Sequence, residues 1–364
     1  MQPANATTIV NGSLYGSATE AFGYIGSDQR LYLMVQQAEP GSPYQAIDVI
    51  SQWQSEMNVT VPFPRPGAGP RGDGSIAMNA LQASDVFFLF EIDQNNHIQA
   101  LPWPIQAATA SFQPDLTERT GALPPASDSS IVSYASESQK SQSVVYVGAD
   151  GNVWELSWIS GQYEGGHPLW QSKNLSNSTG YTGVLAPKRS SPLAAAMFER
   201  DGSAHVFYIA GDGTIRELYL KNGEWGGTNL SQTTGAKPPA ANSPLAAFAS
   251  AYENTLHVVY LGADGAVHEL WWDGGWQPDH IISGFGGAPP AGDTDLVGYA
   301  SEFEQSHHVI YIDVNNAIQE LYRKDGAWNY TKGWGLELHQ PEPFRRLRSH
   351  AAAEDGQPTG RPYR

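Results

Sequence analysis

The feature that most constrains the fold is a repeat of about 52 residues that runs along the 364-residue chain. Its clearest part is a hairpin that ends in a Glu-Leu pair, as in HVVYLGADGAVHELWW from His257. The glutamate recurs at Glu155, Glu217, Glu269 and Glu320, in steps of 62, 52 and 51 residues. Two weaker copies precede these four and begin at Ala21 and Phe88. Six copies of one unit therefore fill the chain, and a period of this length is typical of propellers and solenoids.

Each copy predicts four strands. A small apolar run, such as SPLAAF from Ser243, lies fourteen residues before the hairpin. The hairpin alternates in polarity with a period of two, on either side of a turn signal such as Asp264-Gly265. The short pieces that follow the hairpins are TNLSQ from Thr228, HIISG from His280 and PDLTE from Pro114. Four strands per unit predict an all-β fold, a six-bladed β-propeller of four-stranded antiparallel blades.

The repeats also suggest the domain organisation. We expect residues 1–340 to form a single six-bladed β-propeller domain and residues 341–364 to be a disordered tail, since the tail has no apolar period. A Pro- and Gly-rich loop at residues 61–74 links the first two blades, and residues 159–190 enlarge the outer edge of the third. Tyrosine recurs at one position of the second strand, at residues 24, 146, 208, 260 and 311, and Glu91 takes that position in the second copy.

Charge and composition exclude several classes of partner. The chain has 37 acidic and 20 basic residues, for a net charge of −17. Such a field repels phosphate backbones and anionic membranes, so nucleic acid is not expected as a partner. No apolar run approaches the 18 residues of a membrane span. The chain has no cysteine, which excludes disulfides and cysteine-ligated metals.

Seven Asn-x-Ser/Thr sequons bear on the location of the protein. They are at Asn5, Asn11, Asn58, Asn174, Asn177, Asn229 and Asn329. This motif implies surface loops in a secreted glycoprotein. Three of the seven occupy similar repeat positions, so the repeat itself can produce them. The first residues, MQPANATTIV, lack the basic and apolar regions of a signal peptide. The localisation therefore stays undetermined, with secretion slightly favoured over the cytoplasm.

The SPLAA strand, the His-Val-Tyr strand and the Asp/Asn-Gly-x-Ile/Val-x-Glu hairpin resemble segments of the fungal fucose-specific lectins. The resemblance covers residues 7–335 and is strongest from 129 to 330. It implies a six-bladed propeller that binds fucose in clefts between adjacent blades. It also implies an arginine that opens the second strand and a glutamate twelve residues later, with aromatic side chains from the cleft walls completing each site.

Three copies keep this twelve-residue spacing with histidine in place of the arginine. The third copy keeps its glutamate but has Ser143 at the basic position, and the first two copies lack both residues. A carboxylate accepts hydrogen bonds from neighbouring sugar hydroxyls, and an imidazole both donates and accepts. A tryptophan also follows three of the glutamates by seven or eight residues. The predicted ligand-binding residues are His205, Glu217, Trp225, His257, Glu269, Trp276, His308, Glu320, Trp328 and Glu155.

The strand register decides whether a histidine and its glutamate share a face. A two-residue turn would pair Tyr260 with Glu269 and put His257 on the opposite face. A three-residue loop with Gly265 in a bulge would place His257, Val259 and Glu269 on one face. The alternative to a sugar site is that the His–Glu pairs only join the blades. The first two copies lose the pair yet keep the strands and turn, which favours a functional role.

These observations predict a carbohydrate-binding lectin with repeated inter-blade sites for a fucose-like monosaccharide or glycan. One alternative is a lectin-fold enzyme of secondary metabolism that shapes a small molecule, as in hetero-Diels–Alder cyclisation. Its apolar pocket would be lined by Phe87, Phe88, Phe90 and Trp103. A second alternative is a protein-interaction propeller. No catalytic, metal or phosphate-binding motif is present, so we expect a non-catalytic protein with no cofactor and no metal, and its oligomeric state stays open.

Overall fold

The structure is a computed structural model, and strands account for most of what it describes. It describes residues 10–14, 19–25, 31–36, 45–48, 71, 75–81, 86–103, 115–164, 167–179, 185–188, 190–283, 288–292, 294–301, 304–315 and 317–331. The tail expected at residues 341–364 and most of the loop at residues 61–74 lie outside these ranges. Within them, no helix has the length and apolar composition needed to cross a membrane.

Within the described ranges, five four-stranded antiparallel sheets and one three-stranded antiparallel sheet, the second, follow one another along the chain, which confirms the predicted six-bladed β-propeller. The first three blades contain β1 Val10–Leu14, β2 Thr19–Ile25, β3 Leu31–Gln36 and β4 Gln45–Asp48; β5 Ile76–Leu81, β6 Val86–Ile92 and β7 Ile98–Trp103; and β8 Ile131–Ser136, β9 Ser141–Val147, β10 Val153–Ile159 and β13 Gln171–Asn174. The hairpin of β11 Tyr163–Glu164 and β12 His167–Pro168 is inserted in the third blade.

The last three blades repeat one plan of four strands. They contain β14 Leu193–Phe198, β15 Ser203–Ile209, β16 Ile215–Lys221 and β17 Glu224–Asn229; β18 Leu245–Ser250, β19 Thr255–Leu261, β20 Val267–Trp272 and β21 His280–Ile281; and β22 Leu296–Ser301, β23 Ser306–Ile312, β24 Ile318–Lys324 and β25 Ala327–Thr331. Within each of these sheets the spatial order of the strands is their order in the chain.

The core lies between blades, because the first strands of successive blades pack against each other. Their small residues allow this close approach. A Cβ atom added to Gly298 in β22 would lie 2.7 Å from the ring of Phe248 in β18, so a larger side chain there would displace the ring. Leu193 and Val206 of the fourth blade share one apolar cluster with Val145 of the third. Burial of apolar surface between blades therefore stabilises the ring.

The hairpin between the second and third strands of a blade has the three-residue loop. Val259 pairs with Glu269 and Leu261 pairs with Val267, so the loop that follows β19 shifts the register by one residue. Gly265 has a φ of 78°, which glycine adopts without steric cost, and it closes a turn by donating to the Gly262 carbonyl at 2.9 Å. This register places His257 and Glu269 on the same face of the blade.

The recurring tyrosine ties each blade to the chain that precedes it. The hydroxyls of Tyr146, Tyr208, Tyr260 and Tyr311 donate to the carbonyls of Leu123, Leu185, Lys237 and Ala288 over 2.7, 2.9, 3.1 and 2.9 Å. Glu91 occupies the same position in the second blade and is only 1% exposed. Burial, together with the nearby charge of Asp93, raises the pKa of Glu91 to about 8. The side chain of Tyr24 lies outside the described residues.

In the described part of the chain, three short helices follow the outer part of the blades, where the sequence predicts a strand piece. They are α1 Leu116–Thr120, α2 Leu175–Ser178 and α3 Leu230–Thr234. In TNLSQ the strand ends at Asn229, whose side chain caps α3 by accepting from the backbone of Gln232. Asn174 caps α2 in the same way. This shared capping role explains why two of the sequons recur at one repeat position.

Candidate functional site

Each of the three predicted His–Glu pairs forms a direct hydrogen bond. The distances from His Nδ1 to Glu Oε1 are 2.7 Å for His205–Glu217 and 2.8 Å for both His257–Glu269 and His308–Glu320. The other ring nitrogen, Nε2, lies 2.7–2.8 Å from a hydroxyl two residues earlier, that of Ser203, Thr255 or Ser306. A carboxylate oxygen can only accept, so each Nδ1 donates to its glutamate, and the hydroxyl contact at Nε2 fixes the orientation of the ring. The Ser/Thr-x-His pattern was the sequence signal for these hydroxyls, and our sequence analysis missed it.

The tryptophans reach the glutamates of the preceding blade. Trp276 Nε1 donates to Glu217 Oε2 over 3.1 Å, and Trp328 Nε1 donates to Glu269 Oε2 over 3.2 Å. Both oxygens of each carboxylate are therefore engaged, one within its blade and one across the blade boundary. We refer to such a set of histidine, glutamate and tryptophan as an inter-blade triad.

The carboxylates of the three His–Glu pairs differ in exposure. The side chains of Glu217 and Glu269 are only 2% and 4% exposed, whereas that of Glu320 is 21% exposed. Burial opposes the ionisation of Glu269, but hydrogen bonds from His257, His280 and Trp328 outweigh it and lower its pKa to about 2. Such buried, fully engaged carboxylates are what the blade-joining alternative requires. The assignment of the triad residues to sugar binding stays a prediction.

The third blade replaces the missing histidine with a tyrosine. In the fifth and sixth blades, Phe248 and Tyr299 stack on His257 and His308, with centroids 4.8 and 4.7 Å apart. Tyr134 occupies the equivalent position opposite Ser143, and its hydroxyl donates directly to Glu155. Burial, and then the neighbouring Glu155, raises the pKa of this hydroxyl well above its usual range. Trp225 of the fourth blade is buried with Tyr134 in the core between the third and fourth blades. This is the position that Trp276 and Trp328 occupy at the later boundaries.

The boundary between the second and third blades is aromatic instead. Phe88 stands where later blades have histidine, and Trp170 packs on Phe88 and Phe90 at centroid distances of 6.2 and 6.0 Å. Trp170 Nε1 has no hydrogen-bond partner within the described part of the chain, because Ala100 replaces the glutamate. Phe88 and Phe90 thus belong to a filled core rather than lining the pocket that the enzyme alternative expects. The side chains of Phe87 and Trp103 lie outside the described residues.

One boundary, between the fourth and fifth blades, opens into a cleft of about 400 Å³. Its lining residues are Phe198, Arg200, Asp201, Asn254, Trp272, Asp273 and Gly274. The indole of Trp272 is partly exposed and is backed by the buried ring of Phe198, whose centroid lies 5.5 Å away. Asn254 Oδ1 has no hydrogen-bond partner among the described residues. We call this space the 4–5 cleft.

The 4–5 cleft connects to the triad behind it. Asp201 accepts from the Ser203 hydroxyl, and Ser203 in turn binds His205 of the triad. On the other wall, a turn at Gly274 brings Trp276 back opposite Trp272. The triad therefore fixes both walls of the cleft, one through His205 and the other through Trp276.

The equivalent space is occupied at the two neighbouring boundaries. Between the third and fourth blades, the Glu199 carboxylate accepts from the Glu137 backbone at 2.6 Å and from the Ser138 hydroxyl at 2.8 Å. Between the fifth and sixth blades, Arg323 takes the position of Trp272 and forms an ion pair with Glu253. The open cleft thus depends on residues that the repeat does not conserve from blade to blade.

The fold that these blades build is that of six-bladed lectins. It is similar to AofleA from Arthrobotrys oligospora, with a TM-score of 0.59 and 13% identity over 89% of this chain and 84% of that chain. It is also similar to the Aleuria aurantia lectin, a fungal six-bladed propeller with fucose recognition, with a TM-score of 0.60 and 14% identity over 90% and 95% of the two chains. A third similar structure is the BP39L lectin from Burkholderia pseudomallei, with a TM-score of 0.59 and 17% identity over 90% of this chain and 84% of that chain. The resemblance inferred from the repeat is confirmed for the fold.

Sequence comparison gives a second, shorter similarity. The cell wall protein phiA of Aspergillus fumigatus is 31% identical over 116 residues, which are 32% of this chain. The chain spans 59% of the length of that curated relative. No protein-family model matches the chain.

Proposed function

We propose that the protein is a lectin that binds a monosaccharide unit of a glycan in a cleft between two blades. The observation that carries this proposal is the 4–5 cleft, in which the partly exposed indole of Trp272 lies beside polar side chains. The proteins with the similar fold include lectins, two of which were solved with α-methyl fucoside. The predicted fucose-like specificity belongs to this proposal and rests on that similarity.

The chemistry of the cleft suits a pyranose. Trp272 offers an aromatic face for the apolar side of a sugar ring, and Phe198 holds the indole in place. The exposed guanidinium of Arg200 can donate to a ring or hydroxyl oxygen of the sugar. A cleft of about 400 Å³ is within the range of small-ligand sites. A neutral sugar also meets no repulsion from the net charge of −17, unlike a nucleic acid.

In this proposal the triads have a positioning role. His205 and Trp276 hold the two walls of the 4–5 cleft at a fixed separation, through the single carboxylate of Glu217. The sixth-blade pair offers a second candidate contact, because the Glu320 side chain is 21% exposed. A glycan that engages two such sites would gain affinity through multivalency.

The test is a glycan array on the untagged protein, followed by the variant Trp272→Ala. We expect fucose-like glycans to bind and Trp272→Ala to lose the site, because stacking on an aromatic ring accounts for about 1–2 kcal/mol or more of a weak sugar affinity. Tyr163→Ala is the matched control, since Tyr163 is an aromatic side chain that is 57% exposed in the inserted hairpin of the third blade. An array with no bound glycan would overturn the proposal.

We also propose that the protein acts outside the cell as a glycoprotein. Two sequons, at Asn177 and Asn329, lie on exposed side chains, and the relative from Aspergillus fumigatus is a cell wall protein. Treatment of the protein from its native host with an endoglycosidase should increase its electrophoretic mobility. An unchanged mobility, together with an intact mass equal to that of the bare chain, would contradict the proposal.

A further inference from the structure

A buried histidine at the boundary of the fifth and sixth blades has neither ring nitrogen hydrogen-bonded. His307 in β23 is 0% exposed, and both Nδ1 and Nε2 lack a partner among the described residues. Its ring centroid lies 4.3 Å from that of His257, and its Nε2 lies 3.7 Å from Glu253 Oε2. Buried polar atoms are nearly always hydrogen-bonded, so two unpartnered nitrogens in one imidazole point to an unfilled role.

The three side chains present a metal-ligand set. One donor atom each from Glu253, His257 and His307 lies within 4.8 Å of the other two. Two imidazole nitrogens and a carboxylate oxygen are ligands that Zn²⁺ takes at about 2.0–2.2 Å, which places neighbouring ligand atoms roughly 3.3 Å apart. To reach this separation, the Glu253 carboxylate would move closer to the two imidazoles. Glu253 can move because it lies in the turn between β18 and β19 and is 27% exposed. We propose that Glu253, His257 and His307 bind a divalent transition-metal ion such as Zn²⁺ and so link the fifth and sixth blades.

The triad of the fifth blade supplies the supporting contact. His257 Nδ1 lies 2.8 Å from Glu269 Oε1, and a histidine that ligates a metal through one nitrogen usually donates to a carboxylate from the other. His257 Nε2 would exchange its contact with the Thr255 hydroxyl, at 2.7 Å, for the ion. The adjacent His308 is not a ligand, because neighbouring strand residues point to opposite faces and its Nδ1 is held by Glu320. The metal partners of His307 therefore come from the preceding blade rather than from its neighbour in sequence.

Arg323 provides an internal competitor. Its guanidinium pairs with Glu253, so the ion must displace one cation from that carboxylate before it binds. Removal of this positive charge should tighten metal binding, since like charges repel strongly at a partly buried site. Loss of a ligand should weaken binding instead. Substitution of Arg323 and substitution of a ligand are therefore expected to change the metal affinity in opposite directions.

The test is calorimetric titration of the full, untagged chain with Zn²⁺ alone, followed by Co²⁺ absorption spectroscopy. We expect one saturable site, a loss of at least about a hundredfold in affinity for His307→Leu, and a gain of at least about tenfold for Arg323→Met. His97→Asn is the control, because His97 is a 30% exposed histidine of the second blade that pairs with Asp115 and lies outside the ligand set and its supporting contacts. If His307→Leu does not fold, Glu253→Gln tests the same point.

Two results would overturn the proposal. One is the absence of saturable Zn²⁺ binding by the wild-type chain. The other is unchanged binding in both His307→Leu and Glu253→Gln, which would place the ion elsewhere. A tetrahedral or five-coordinate Co²⁺ spectrum that disappears in these variants supports the assigned ligands. Sugar binding at the 4–5 cleft is independent of either outcome.

Discussion

The triad of the fifth and sixth blades predicts a specific pattern of stability loss. Glu269→Ala would leave His257 and Trp328 without their carboxylate acceptor, and these side chains are only 3% and 7% exposed. An unpaired buried donor costs about 1–3 kcal/mol. The pKa gives a second route to the magnitude. A shift of the Glu269 pKa from 4.5 to about 2 corresponds to roughly 3 kcal/mol of stabilisation at neutral pH.

The stabilisation by Glu269 depends on pH. The folded-state pKa of Glu269 is lower than the unfolded value of 4.5, so its contribution is complete above pH 4.5 and is lost as the pH falls towards 2. We therefore expect the stability difference between the wild-type chain and Glu269→Ala to be about 3 kcal/mol at pH 7 and roughly half of that at pH 3. At neutral pH this corresponds to a lowering of the thermal midpoint by roughly 5 °C.

The matched control is Glu320→Ala, the same position one blade later. The Glu320 side chain is 21% exposed, so water can replace the lost hydrogen bond and the expected cost is about 1 kcal/mol or less. Urea unfolding of the wild-type chain and both variants at pH 7 and pH 3 measures these differences. Equal losses in the two variants, or a Glu269→Ala effect that does not change with pH, would refute the reasoning from burial and hydrogen bonding.

Two further predictions follow from buried groups in the second and third blades. Glu91→Gln should stabilise the protein above pH 5, by about 3 kcal/mol near pH 7, because the folded pKa of about 8 means that the buried carboxyl retains a proton that the unfolded chain releases above 4.5. A gain that does not grow with pH in urea unfolding would contradict this. Tyr134→Phe should cost about 1–3 kcal/mol, because the buried Glu155 would lose the tyrosine hydroxyl and keep only the side-chain hydrogen bond from Ser143. The double variant Tyr134→Phe/Ser143→His recreates the Phe–His–Glu arrangement of the fifth blade and should recover that loss in thermal unfolding, and failure to recover it would argue against the equivalence of the two blades.

Most of the fold could be predicted from the sequence repeat. The period, the strand alternation and the Asp-Gly turns predict the blades, because each is a local pattern that the backbone obeys directly. The twelve-residue spacing places His257 and Glu269 on one hairpin, but their hydrogen bond depends on the three-residue loop, and the sequence did not distinguish this loop from a two-residue turn.

Contacts between blades could not be predicted from the sequence. The pairing of Trp276 with Glu217 joins residues 59 positions apart, and no local signal states which neighbouring cleft an indole enters. The role of Tyr134 also depends on packing, because its hydroxyl reaches Glu155 only where Ser143 leaves the space of an imidazole. The 4–5 cleft draws its lining from three separate segments, so its openness follows from tertiary structure alone.

The predicted apolar pocket of the enzyme alternative illustrates the same limit. The aromatic residues of the second blade indicate an apolar environment, which the structure has around Phe88 and Phe90. Whether that environment is a pocket or a core depends on what fills it. Here Trp158 and Trp170 of the third blade pack against Phe88, at centroid distances of 6.3 and 6.2 Å.

The most direct test of sugar binding in the 4–5 cleft is a calorimetric titration of the wild-type chain and Trp272→Ala with the monosaccharide that the array selects. We expect the stoichiometry of sugar binding to fall by one site in the variant. The thermal midpoint should change little, because Trp272 is partly exposed at the mouth of the 4–5 cleft. A titration in which Trp272→Ala keeps the full stoichiometry and affinity of the wild-type chain would contradict the assignment of that cleft as the sugar site.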